Sequence, residues 1–191
     1  MAKLITSLAS CAGRMTTGER RLAQRLESHL EDDYLIWYDV PVGPKHQHPD
    51  FIVLHPGRGL LVLEVKDWTE ATILTATRAS FTIRTVTGDK HVANPLEQAR
   101  QYAFAIKSLL ETDPSLLVEA GPHHGKLVAP YGYGVVFTRL TRRVFAAAGL
   151  ENVIDAHRVI CQDEMAESAS PLAFQERLWQ MQSAPFIRLL G

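Results

Sequence analysis

The sequence is poor in cysteine: Cys11 and Cys161 are the only two in 191 residues. Two cannot build a disulfide framework, and a thiolate zinc site needs more sulfur than that. No run approaches the roughly 20 apolar residues that a membrane helix needs. The first ten residues carry one lysine among scattered apolar positions and lack the continuous apolar stretch of a signal peptide. The expectation is a reduced, cytoplasmic setting with no membrane. Charge of one sign is also missing. Lysine and arginine number 20 against 21 acidic residues, a formal net charge of −1, so no global positive field draws in a polyanion. A Walker phosphate loop is absent too: "GPHHGKL" has the wrong spacing and no Ser or Thr after its lysine.

What is present is ordinary in bulk. A hydrophobic share of 46% in 191 residues supports one domain with a real core. That domain is expected over 16–191, after a loosely structured lead over 1–15. Thr16 or Thr17 followed by Glu19 reads as a helix start, and Leu22, Ala23, Leu26 and Leu30 repeat at helical spacing. Strands are expected at 34–42, 50–55, 60–66, 71–76, 81–86, 131–139 and 158–161. Asn94-Pro95 opens a second long helix, with Asn94 as cap and Pro95 at the first helical position. A short helix is expected within 139–148 and a last one at 171–182. This order gives an α/β or α+β chain with a central mixed sheet flanked by helices.

One stretch stands apart. "PDFIVLHPGRGLLVLEVKDW", residues 49–68, is two apolar runs around a Pro-Gly turn. It places Glu64 and Lys66 at alternate positions of an otherwise greasy strand, and Asp50 at the other end of the hairpin. Alternation puts Glu64 and Lys66 on one face. Buried charges are costly unless paired, hydrogen-bonded or bound to metal. A turn at Gly57-Arg58-Gly59 would pair Asp50 with Lys66 and leave Glu64 diagonally adjacent. Two carboxylates then suit a hard divalent cation, and a nearby ammonium can orient or activate water. The competing explanation is a salt bridge on a sheet edge.

Other residues are less decisive alone. Glu19 shares the inward face of the first helix, yet a first-turn glutamate is also favoured by the helix dipole. Gln98 and Tyr102 lie one turn apart on the second helix. Arg20, Arg21 and Arg25, and again Arg139, Arg142 and Arg143, are local basic groups that serve either as solvated faces or as phosphate contacts.

Taken in order, "GERRLAQRL", "PDFIVLHPGRGLLVLEVKDW" and "NPLEQARQY" resemble the nuclease-related domain (NERD) of the PD-(D/E)XK nuclease superfamily. The resemblance spans about residues 18–138. It implies a restriction-endonuclease-like core, a central mixed β-sheet flanked by α-helices with the site at one sheet end. It also implies an Mg²⁺- or Mn²⁺-dependent nuclease acting on DNA in processing, repair or defence. By that resemblance Asp50 and Glu64 are metal ligands, with the Val65 carbonyl and Glu19 as further ones, and Lys66 is the catalytic lysine. Gln98 and Tyr102 match the Gln-x-x-x-Tyr of RecB-like nucleases, where the pair positions the DNA strand or the lysine. Such domains often stand before superfamily-one helicase modules, so the implied partners are DNA and a helicase in cis or trans.

Two rivals remain. One keeps the fold without the chemistry, as a nucleic-acid-binding or assembly module. The other starts from "HQHPD": His46, His48 and Asp50 have zinc-hydrolase spacing, although Phe51 stands where that motif needs a histidine.

Overall fold

The computed structural model describes residues 2–5 and 7–182. A six-stranded sheet forms its centre. The strands are β1 (Lys3–Leu4), β2 (Leu35–Tyr38), β3 (Phe51–His55), β4 (Gly59–Lys66), β8 (Tyr131–Phe137) and β9 (Val159–Cys161), in that spatial order. Pairing is antiparallel for β2–β3 and β3–β4 and parallel for β1–β2, β4–β8 and β8–β9. The expected mixed sheet with flanking helices is what the chain builds, consistent with a nuclease-like core. A separate antiparallel sheet joins β5 (Ile73–Ala76), β6 (Ser80–Thr85) and β7 (Gly88–Ala93).

Strand β4 reads as a continuous apolar run because both of its faces are covered. Leu61, Leu63 and Val65 pack with Leu22 and Leu26 of α2 (Thr17–His29) and with Phe174 and Leu178 of α5 (Pro171–Trp179). Leu60 and Val62 pack with Ala103 and Ile106 of α3 (Pro95–Leu110) on the opposite face. Leu22 and Leu26 are fully buried, and burying each is worth about 2 kcal/mol. Further along the α3 face, Val135 and Phe137 meet Phe81 and Ile83 of the small sheet and Phe145 of the short α4 (Arg142–Ala147).

Local chemistry sets the helix starts. Thr16 caps α2 through a reciprocal box: the Glu19 N–H donates to Thr16 Oγ1 at 3.2 Å, and the Thr16 N–H donates to Glu19 Oε2 at 2.8 Å. On α3 the Leu96 N–H donates to Asn94 Oδ1 at 2.9 Å, with Pro95 at the first helical position.

Four expectations need correction. Residues before Thr16 are not a loose lead: β1 pairs with β2, α1 is a turn of helix at Leu8–Cys11, and Ala2, Leu4, Cys11 and Met15 are buried. The edge of β2 needs a partner, and the N–H groups of Lys3 and Ile5 donate to Tyr34 and Ile36 carbonyls. The strand expected over 34–42 stops at Tyr38, where Asp39 turns the chain with a φ of 51°. Strand β7 stands where no strand was expected, between the strand at 81–86 and the helix opened by Asn94. Its side chains are nearly all exposed, so apolar alternation could not announce it. The final helix ends at Trp179 rather than 182, because Gln182 turns back to bridge Gly132 and donates from Nε2 to the Arg58 carbonyl at 2.9 Å. The end of the domain expected over 16–191 falls on residues 183–191, outside the described residues.

Candidate active site

The hairpin register differs from the expected one. His55 pairs with Gly59 and Phe51 with Leu63, so the turn is Pro56-Gly57-Arg58 and Asp50 projects opposite Glu64 rather than Lys66. The consequence is closer contact between the two carboxylates. Asp50 lies just before β3 and Glu64 near the end of β4, and the Val65 N–H donates to Asp50 Oδ2 at 2.6 Å. Lys66 Nζ sits 2.5 Å from Glu64 Oε1. Glu64 and Lys66 continue the face of Leu60 and Val62, beneath α3.

Glu64 is 2% exposed. Its Oε1 is held by Lys66, but Oε2 is buried with no hydrogen-bond partner. Burial raises the Glu64 carboxyl above its ordinary range, with Lys66 opposing the shift. Asp50 is pushed up to about 7, first by burial and then by the neighbouring negative charge of Glu64. Two carboxylates in a water-poor corner share one lysine. A cation between them would relieve both burial and repulsion, and the unpaired Oε2 is an acceptor free to meet it. The paired carboxylates of Asp50 and Glu64 therefore supply the hard oxygen donors that a divalent ion takes.

Glu19 comes near without joining the pair. Its Oε2 accepts from Thr16 N–H and, at 2.9 Å, from the Tyr38 hydroxyl. Its charge raises the pKa of both Asp50 and Glu64. Among the described residues, no three His, Cys, Asp or Glu side chains are grouped to hold a metal ion by themselves. His46, His48 and Asp50 thus do not assemble the zinc triad their spacing suggested. His48 instead faces Asp39, with Nδ1 2.8 Å from Oδ1. On α3, Gln98 Nε2 donates to the Tyr102 hydroxyl at 2.8 Å. The Tyr102 pKa is raised mainly by burial, with the Gln98 hydrogen bond opposing and the charges of Glu64 and Asp50 adding to the rise.

Sequence reasoning missed Asp67. Its carboxylate accepts from the Gly18 N–H at 3.0 Å and from the Thr138 hydroxyl. It thereby ties the start of α2 to the end of β8 beside Lys66. A signal existed in Gly18, since glycine in a helix costs about 1 kcal/mol relative to alanine and needs a reason. Here a Cβ would lie 1.8 Å from Asp67 Oδ1. Trp68 was also missed; Lys66 Nζ lies 5.8 Å from its ring centroid.

No curated protein and no solved structure matched the chain. The family model of the nuclease-related domain (NERD) matches residues 14–137, about two thirds of the sequence. That stretch runs from just before the cap of α2 to the last residue of β8 and so takes in Glu19, Asp50, Glu64, Lys66, Gln98 and Tyr102. With this match, and with the mixed sheet that carries it, the chain belongs to the nuclease-related domain family.

Proposed function

We propose that the protein is a divalent-metal-dependent nuclease that hydrolyses phosphodiester bonds in DNA at the Asp50–Glu64–Lys66 corner. The observation that carries this reading is the buried, unpartnered Glu64 Oε2 beside an Asp50 carboxyl raised to about 7. Protein interiors seldom leave such an oxygen unsatisfied without a use for it. Asp50, Glu64 and the Val65 carbonyl would hold Mg²⁺ or Mn²⁺, with water completing the shell. When bound, the ion would neutralise charge on the phosphate and make a coordinated water more acidic.

The chain's own groups have separate roles. Lys66 is fixed by Glu64 and aims its ammonium where a phosphate oxygen would gather charge during attack. The Val65 N–H holds the Asp50 carboxylate in place from the opposite strand. Glu19 acts from a distance, strengthening the negative potential and locking Tyr38. Gln98 and Tyr102 form a hydrogen-bonded ledge on α3 against which a strand would rest. The test is strand cutting with Mg²⁺ or Mn²⁺ on linear, circular and single-stranded DNA, beside Lys66→Ala. Cutting by the wild type alone supports the reading. Equal cutting by both sinks it.

A further inference from the structure

The arginine groups separated in the sequence meet in the fold. Arg21 of α2 donates from Nη1 to the Thr138 carbonyl at 3.1 Å, directly before Arg139 in the chain. The Thr138 N–H in turn donates to the Lys66 carbonyl at 3.1 Å. Arg143 follows two residues after the Thr141 cap of α4. Arg21 and Thr141 share the wall of a cavity of about 330 Å³ on this side of the molecule. Thr138, which holds Arg21 and precedes Arg139, is therefore one hydrogen bond away from the backbone of the proposed catalytic lysine.

Arg20 donates to the Ala12 carbonyl, and the other five arginines divide into two sets. Arg25 pairs with Glu167, and Arg142 pairs with Glu164, so both are neutralised within the protein. Asp163, which borders the cavity, accepts from the Arg142 N–H at 2.9 Å. Arg21, Arg139 and Arg143 form no ion pair among the described residues, and Arg139 and Arg143 are exposed. Arg21 is held by a carbonyl, which fixes the guanidinium while leaving its charge uncancelled. A protein of net charge −1 thus carries three uncompensated arginines on segments that adjoin the ends of its parallel strands β4 and β8, the end at which open sheets take ligands.

We propose that Arg21, Arg139 and Arg143 form a rim that binds the sugar–phosphate backbone of a nucleic acid on one side of the Asp50–Glu64–Lys66 corner. Planar guanidinium forks match phosphate oxygens in pairs, and a row of them beside a cutting site fits a polyanionic strand that extends past it. The inference rests on the nuclease reading for what happens to the strand, and stands apart from it for where the strand lies.

The experiment measures affinity of the full chain for a short labelled DNA duplex in EDTA, which prevents cutting, across a salt series. The variants are the charge-reversed pair Arg139→Glu with Arg143→Glu, the conservative pair Arg139→Lys with Arg143→Lys, and Lys66→Ala. The reversed pair should bind about tenfold or more weakly, with the slope of log affinity against log salt reduced by about two, one contact for each arginine. The lysine pair should keep the wild-type slope. An unchanged affinity, a loss of affinity with the slope intact, or a lysine pair that fails to hold the slope overturns the rim. A parallel Mn²⁺ cutting assay separates the two proposals. If the wild type binds with the arginine-dependent slope but never cuts, the nuclease reading falls and the rim stands. If it cuts while the slope ignores the arginines, the reverse holds.

Discussion

The two ends of the β3–β4 hairpin carry similar ingredients and satisfy them differently. At the turn end, His55 has both ring nitrogens occupied: Nδ1 accepts from the Gly57 N–H at 3.0 Å, and Nε2 meets Asp33 Oδ2 at 2.8 Å. Beside it the Tyr34 hydroxyl accepts from Trp179 Nε1 at 3.0 Å, and the His55 and Tyr34 rings lie 4.5 Å apart. At the open end, Glu64 keeps a buried oxygen without a partner, and Asp50 resists ionising. A histidine–aspartate pair looks more like chemistry on paper. Here the histidine–aspartate pair is the closed, satisfied arrangement, while unmet demand marks the end proposed to do the chemistry.

Breaking the open end should have the largest effect. Glu64→Gln keeps the volume and removes the charge, so cutting should fall by about a thousandfold or more while the thermal melt survives. Retained cutting would place the chemistry elsewhere. His55→Ala at the turn end should do the opposite. Stability should drop by roughly 1–2 kcal/mol, since Asp33 and the Gly57 N–H lose their partner, and cutting per folded molecule should hold. Denaturant midpoints measured beside cutting rates check both halves, and a His55→Ala protein that folds but does not cut would erase the contrast.

The clasp behind the site comes next. Gly18→Ala forces Asp67 away from the α2 N-terminus, and the lost cap with its steric strain should cost about 2–3 kcal/mol. An unchanged urea midpoint would mean the helix start yields freely. Last comes the pH effect, which is spread over several pH units. Asp50 has a folded pKa of about 7 against an ordinary 3.8. The folded state then holds its proton longer than the unfolded chain does. Stability of the metal-free protein should fall as pH rises between those values, and the penalty is complete above the folded pKa. Asp50→Asn should flatten that decline, recovering on the order of a few kcal/mol at most near pH 8. A wild-type curve that rises over this interval would contradict the buried pair.

Much of this was legible in the residues. The charges at Glu64 and Lys66 sit in a run whose neighbours are all apolar, and parity alone put them on one face. The caps at Thr16 and Asn94 fixed two helices because their side chains act within three residues. What failed was longer-ranged or less apolar. The turn could be counted from Pro56 or from Gly57, and one step changed which residue faces Asp50. Strand β7 hides because its side chains meet water on most positions, and β1 is a pair of residues whose reason to be extended lies in β2. Glu19, expected either as a helix-dipole residue or as a metal ligand, is a capping-box residue whose charge also raises the Asp50 pKa. Asp67 could not be recognised at all from its own surroundings, since its partners are 49 and 71 positions away.

Those distances have a consequence for a chain still being made. Strand β4 is complete at Lys66, but its second neighbour, β8, ends at Phe137. Until that strand emerges from the ribosome, β4 is an open edge, Asp67 lacks Thr138, and Arg21 lacks the carbonyl that holds it. The small sheet and α3 are synthesised in the interval, so the ledge of Gln98 and Tyr102 is present before the strand beneath it is locked. A truncated or nascent chain that stops before β8 therefore carries Glu64 and Lys66 on a strand with one side still unpaired, with Asp50 across the hairpin. Parallel pairing across a long excursion thus makes the covering of β4, and with it the Asp67 and Arg21 contacts, wait for the arrival of β8.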